Sequence, residues 1–145
     1  MRHKKLIAVT VSAFLILVSV ILVTTGTPSR SYTDYISDLG WKADEKSVKV
    51  SDIVIPETWD ESMEQYNRLQ MQVGYDLSKY KGQTAKLYSY AVLNFDGYDK
   101  TVYINLIIHN GKIIGGDISS VALDGFMIPL VNQKEKDGYM NGTVG

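Results

Sequence analysis

Residues 84–121, TAKLYSYAVLNFDGYDKTVYINLIIHNGKIIGGDISSV, decide the fold. Side chains of a strand alternate between its two faces, so a period of two marks a strand. Thr84–Phe95 alternates in this way: Ala85, Leu87, Ala91 and Leu93 share one face, and Lys86, Tyr88, Tyr90 and Val92 share the other. Asp96-Gly97-Tyr98-Asp99-Lys100 turns the chain. Thr101–His109 is a second strand, with Val102, Ile104, Leu106 and Ile108 on one side. Asn110-Gly111 follows, and both residue types tolerate the positive φ that a tight hairpin demands. Lys112–Val121 is the third strand, in which Gly115 and Gly116 mark a bulge or a close backbone approach. The stretch therefore predicts an antiparallel three-stranded meander.

Two helices precede it. Tyr32, Tyr35, Ile36 and Leu39 recur at helical spacing within Ser31–Leu39, with Ser31 as a cap and Gly40 as a stop. Val48, Val50, Ile53 and Ile55 suggest one or two short strands before Pro56. Thr58 and Glu61 have capping-box spacing, and Trp59, Met63, Tyr66, Leu69 or Gln70, and Val73 make an apolar stripe that ends at Gly74. A polar, aromatic loop (74–82) leads into the meander, and residues 122–130 can pack back on the sheet. The expected fold class is α+β in the order α-β-α-β-β-β, with two helices stacked on an antiparallel sheet. Residues 31–130 form this domain, and the polar, glycine-bearing residues 131–145 are expected to be disordered.

The amino terminus reads differently. Residues 6–23, LIAVTVSAFLILVSVILV, carry no charge and no proline, and follow Arg2, Lys4 and Lys5. A helix of about 18 residues at roughly 1.5 Å each is just long enough to cross a bilayer. The basic flank places the amino terminus in the cytoplasm and everything after the 24–29 spacer outside. No Ala-x-Ala pattern follows the run, and the chain has no cysteine for lipid attachment. The expectation is thus a single-pass anchor in the cell membrane, with residues 1–29 as tail, span and spacer. A cleaved signal, and hence a secreted protein, is the alternative. Only five residues precede the run, so no cytoplasmic output domain is expected.

Of the 15 basic residues, three lie before the apolar run, leaving 12 against 16 acidic ones, a net −4 for the exported part. Such a balance lacks the basic footprint of nucleic-acid binding, and no basic patch is expected to hold the domain on anionic lipid. The absence of cysteine excludes disulfides, thiolate metal sites and cysteine nucleophiles.

Candidate sites are few. His109 is the only histidine of the exported part and has no second histidine to assist it, so it reads as an exposed strand-end residue. Gly115-Gly116-Asp117 is not followed by a helix start, so it is not a phosphate loop; a bulge with a solvent-facing aspartate is the simpler reading. Ser119-Ser120 has no histidine nearby and no nucleophile elbow occurs. Tyr88 and Tyr90 project from one strand, Tyr103 and Asn105 from the next. Depending on register, these four form an aromatic-polar platform for peptides or sugars, or the second helix covers them through Trp59 and Tyr66. The binding candidates are Tyr88, Tyr90, Tyr103, Asn105 and Asp117; no catalytic residue, metal site or cofactor is expected.

Several segments occur together in order: Tyr35–Trp41, Ile55-Pro56, Tyr66–Gln70, Gly74–Leu77, Tyr80–Gly82, Tyr88–Tyr90, Gly115–Asp117 and Leu123–Phe126. Over about residues 33–130 the chain resembles a family of small membrane-anchored bacterial proteins called domain of unknown function forty-eight thirty. The resemblance implies an exported domain in a Gram-positive type of bacterium and transfers no activity. The expected role is a membrane-anchored, extracytoplasmic binding or interaction domain whose partner is an envelope protein, peptide or glycan. The alternatives are a small cell-envelope hydrolase using carboxylates such as Asp76, Asp117 or Asp124, and a domain that inhibits a neighbouring membrane enzyme.

Overall fold

The computed structural model describes residues 30–143; the apolar run at 6–23 lies outside them. Among the described residues no helix is long and apolar enough to cross a membrane. The chain forms α1 (Arg30–Asp38), β1 (Ala43–Val54), α2 (Glu61–Met71), a 3-10 turn (Leu77–Tyr80), β2 (Thr84–Val92), β3 (Tyr103–His109), β4 (Lys112–Ser119), β5 (Met127–Ile128), a second 3-10 turn (Gln133–Glu135) and α3 (Lys136–Met140). The strands make one antiparallel sheet in the order β1-β2-β3-β4-β5. The class is α+β, and the expected meander is its centre.

Three features differ from the sequence expectation. The sheet has five strands rather than four, because Met127–Ile128 pairs with β4 as a short edge strand; the segment before Pro56 is one strand of 12 residues that pairs with β2, interrupted by a register shift between Asp44 and Lys49. Ser47 bridges that bulge: its Oγ donates to the Asp44 carbonyl and accepts from the Ala91 amide. Residues 133–140, placed by composition in a disordered tail, form the second 3-10 turn and α3 instead. Tyr139 and Met140 pack against the core, which gives this polar segment an apolar face to bury.

The helices also lie on opposite faces of the sheet. On one face Tyr90, Ile104, Leu106, Ile108, Ile118 and Ile128 are buried under Tyr32 and Ile36 of α1, Trp41 and Leu130-Val131. On the other, Ile53, Ala85, Ile107 and Ile114 are buried under Tyr66 of α2 and Leu77. The cause is legible in β3: Leu106-Ile107-Ile108 is apolar on both faces, so both need cover. Beyond Val92 the chain leaves the sheet earlier than expected, and Phe95 stacks between Trp41 and Phe126 at 5.4 and 5.2 Å.

α2 starts later than its capping-box spacing suggests. Its N-cap is Asp60, whose carboxylate accepts from the Met63 amide at 2.9 Å. Its buried stripe is Met63, Tyr66, Asn67 and Gln70, half of it polar, because the last two bond to backbone across the interface. Asn67 Oδ1 accepts from the Leu77 amide at 2.7 Å and holds the first 3-10 turn; Gln70 Oε1 accepts from the Gly116 amide at 2.8 Å and satisfies the β4 edge. α1 begins at Arg30, so Ser31 falls inside its first turn rather than at the cap.

Candidate functional site

Strand register sorts the five candidate residues. Tyr88 faces Leu106 and Tyr90 faces Ile104, whereas Asn105 pairs with Ser89 and Asp117, and Tyr103 with Ala91 and Ser119. Tyr88 and Tyr90 therefore share the α1 face, and Tyr103, Asn105 and Asp117 the α2 face. The four-residue platform does not exist. Tyr90 is fully buried, and Tyr88 packs on Tyr32 with ring centroids 5.1 Å apart. Cover for this pair comes from α1, not from Trp59 or from Tyr66 of α2.

The α2 face carries the polar cluster. Asp117 is 1% exposed rather than solvent-facing. The register shift falls between Ile107 and Ile108, opposite the approach to Gly115, and turns the carboxylate beneath α2. Gly116 is required for this approach by the backbone it meets, and Gly115 leaves room for the Gln70 amide. A Cβ on Gly115 would stand 2.8 Å from Gln70 Oε1, and one on Gly116 would overlap the Asn105 carbonyl oxygen.

Four donors converge on the carboxylate or on each other. The Tyr66 hydroxyl donates to Asp117 Oδ2 at 2.8 Å. Asn105 Nδ2 and Ser119 Oγ each donate to Oδ1 at 2.8 Å. Ser89 Oγ donates to Asn105 Oδ1, at the outer end of the chain. Burial pushes the Asp117 carboxyl up from the ordinary carboxylate range, and the three donors partly oppose this. Burial and the Asp117 charge push the Tyr66 hydroxyl well up, so it stays a donor. Sequence reasoning missed Tyr66, Ser89, Ser119 and Gln70. For Ser89 and Ser119 the signal is that they share a face with Asn105 across three adjacent strands, visible only once register is known; Tyr66 and Gln70 lie on the buried stripe of α2 and join them only through helix placement.

Chemically, this is a positioning network. Asp117 is sealed from solvent and spends both oxygens on donors. Around it, Ser89, Ala91, Tyr103 and Asn105 are half-buried and adjoining on β2 and β3, forming a shelf beside the part of the face that α2 covers. Asn105 cannot flip its amide without setting Oδ1 against the carboxylate, so Asp117 fixes what the shelf presents. The carboxylates proposed for hydrolysis are dispersed. Asp76 caps the first 3-10 turn, with Ser78 and Asn67 donors holding its carboxyl below the ordinary range; Asp117 is buried; Asp124 is exposed in the β4–β5 loop. His109 Nδ1 bonds to the Thr84 carbonyl oxygen at 2.8 Å and its ring meets Tyr80 edge-on, a strand-end role. Among the described residues no three His, Cys, Asp or Glu side chains are grouped to hold a metal ion.

Fold and network together describe a small α+β domain with an antiparallel sheet covered on both faces and one polar shelf. The model of the family described as Domain of unknown function (DUF4830) matches residues 35–118, more than half of the chain, and the chain belongs to that family. The match runs from α1 to Ile118 and so takes in Tyr66, Ser89, Asn105 and Asp117, but not Ser119. No curated protein and no solved structure matches the chain.

Proposed function

We propose that this protein is a membrane-tethered, extracytoplasmic binding domain that acts by recognition rather than by catalysis. The observation that carries the reading is the shelf of Ser89, Tyr103 and Asn105, set by a buried carboxylate that itself has no access to a ligand. Preorganised polar groups next to an aromatic ring suit a peptide or glycan with its own donors and acceptors. The apolar run 6–23 supplies the tether, and the acidic balance of the exported part argues for a partner other than nucleic acid. A hydrolase would need two carboxylates across one cleft, and Asp76, Asp117 and Asp124 are committed to a turn, a core and a loop.

The test is a titration of the full-length protein with soluble peptidoglycan fragments and with an extended-peptide library, read by chemical shifts. Perturbations grouped on Ser89, Tyr103 and Asn105, and lost in Tyr103→Ala, support the reading. Perturbations that leave these residues unmoved, or turnover of the added fragment, would overturn it.

A further inference from the structure

The tether reaches the domain at one defined end. Tyr32, in the first turn of α1, donates to the Gly111 carbonyl oxygen at 3.3 Å, so α1 begins over the β3–β4 hairpin. It finishes at the other end of the sheet, where Asn94 Nδ2 donates to the Gly40 carbonyl oxygen at 3.0 Å and the Leu93 amide to that of Lys42 at 2.8 Å. Six residues, 24–29, separate the apolar run from α1, and even fully extended they span only about 20 Å. The strands between the two ends are about as long, since seven residues of β3 cover roughly 23 Å.

The two ends differ in charge. At the hairpin end, Lys112 pairs with His109 in the ladder, and His109 meets the ring of Tyr80 at 5.3 Å. Tyr80 is flanked by exposed Lys79 and Lys81, the latter 4.3 Å over the Trp59 ring. None of these three lysines forms an ion pair among the described residues. The acids nearby are Asp76, whose carboxyl the Lys79 charge helps hold low, Glu57, which lies against Gly82, and Asp52, already paired with Lys86 at 2.7 Å. Exposed Val54 adds an apolar contact at the same end. The opposite end presents Asp96, Asp99 and Asp124, and its cations are engaged: Lys100 is bound to Asp99, and Lys136, on the Asp96 carbonyl oxygen at 3.0 Å, to Asp137. The sequence contains no basic run, but the fold gathers Lys79, Lys81 and Lys112 from separate segments.

From the reach of the tether and this polarity we infer that the β3–β4 hairpin end rests on the anionic lipid surface, and the Leu93–Leu123 end points away from it. The inference rests on the tether reading given above. Lysines close to a bilayer are drawn to anionic headgroups, and the aspartates at the far end are repelled. The Ser89–Tyr103–Asn105 shelf then lies in the outer half of the domain, clear of the headgroups.

The absence of cysteine allows the orientation to be read directly. Full-length Thr84→Cys and Leu123→Cys proteins, each nitroxide-labelled, are placed in vesicles of phosphatidylcholine and phosphatidylglycerol that carry a nickel-chelating headgroup. The expected result is strong relaxation of the label at 84 and none at 123. In vesicles of phosphatidylcholine alone, or in the Lys79→Glu/Lys81→Glu/Lys112→Glu variant, the contact at 84 is lost while the circular dichroism spectrum is kept. Equal relaxation of the two labels, or contact at 84 that ignores lipid charge, would overturn the inference. Flotation distinguishes the underlying failure: protein that stays with vesicles but shows equal labels refutes the orientation alone, and protein that does not float refutes the tether as well.

Discussion

A single side chain organises the α2 face. Asp117 accepts from Tyr66, Asn105 and Ser119 while almost wholly buried. Asp117→Ala strands three donors, and we expect a loss of about 2–4 kcal/mol in denaturant unfolding, since each buried unsatisfied polar group costs about 1–3 kcal/mol. Asp117→Asn keeps the shape and one acceptor and should cost less. It also isolates the titration. Because burial raises the folded carboxyl above its ordinary value of 3.8, the stability this group contributes is present below that pH and is lost as pH rises through the raised value. The melting temperature of the wild type minus that of Asp117→Asn should therefore fall with rising pH; a flat difference would contradict a raised value. Tyr90 is the contrasting case. It reads from the sequence as a ligand-facing aromatic, yet its hydroxyl is buried without a hydrogen-bond partner. Tyr90→Phe should leave ligand binding unchanged and hold or raise stability by up to about 1 kcal/mol, because a desolvated hydroxyl without a partner is a cost.

Elements meet here through side chain to backbone bonds as well as apolar contact. Gln70 of α2 satisfies the Gly116 amide on a part of β4 that β5 is too short to reach. Gln70→Leu keeps the bulk and removes the acceptor, so amide exchange at Gly116 should accelerate and stability drop by about 1–3 kcal/mol. The helix cap offers a cleaner comparison. Thr58 and Glu61 have the spacing of a capping box, but Asp60 is the residue whose carboxylate reaches the Met63 amide. Asp60→Ala should cost about 1 kcal/mol and Thr58→Ala much less, measured side by side in urea. The capping-box spacing puts the cap at Thr58; the structure puts it two residues later, at Asp60.

Across the whole molecule, the carboxy-terminal residues complete the α1 face. The Trp41 indole donates to the Val131 carbonyl oxygen at 2.8 Å, Gln133 Nε2 bonds to the Asn94 carbonyl oxygen, and Tyr139 and Met140 pack on the core. Truncation after Asn132 should lower the melting temperature by several degrees and expose Phe95 and Tyr98 to quenchers, since apolar cover is removed from a buried cluster. What the sequence by itself determined is the α+β class, the central meander with its Asn110-Gly111 turn, the alternation within β2 and β3, and the bulge announced by Gly115-Gly116. All of these follow from local periodicity and from backbone conformations that few residues allow. Three matters waited on tertiary structure: the pairing of β1, the order in the carboxy-terminal segment, and the separation of Tyr88 and Tyr90 from Tyr103, Asn105 and Asp117. The physical reason is common to them. Alternation tells which residues share a face within one strand, but register and helix placement decide which faces of neighbouring strands coincide and what covers them, and those depend on contacts between residues far apart in the chain.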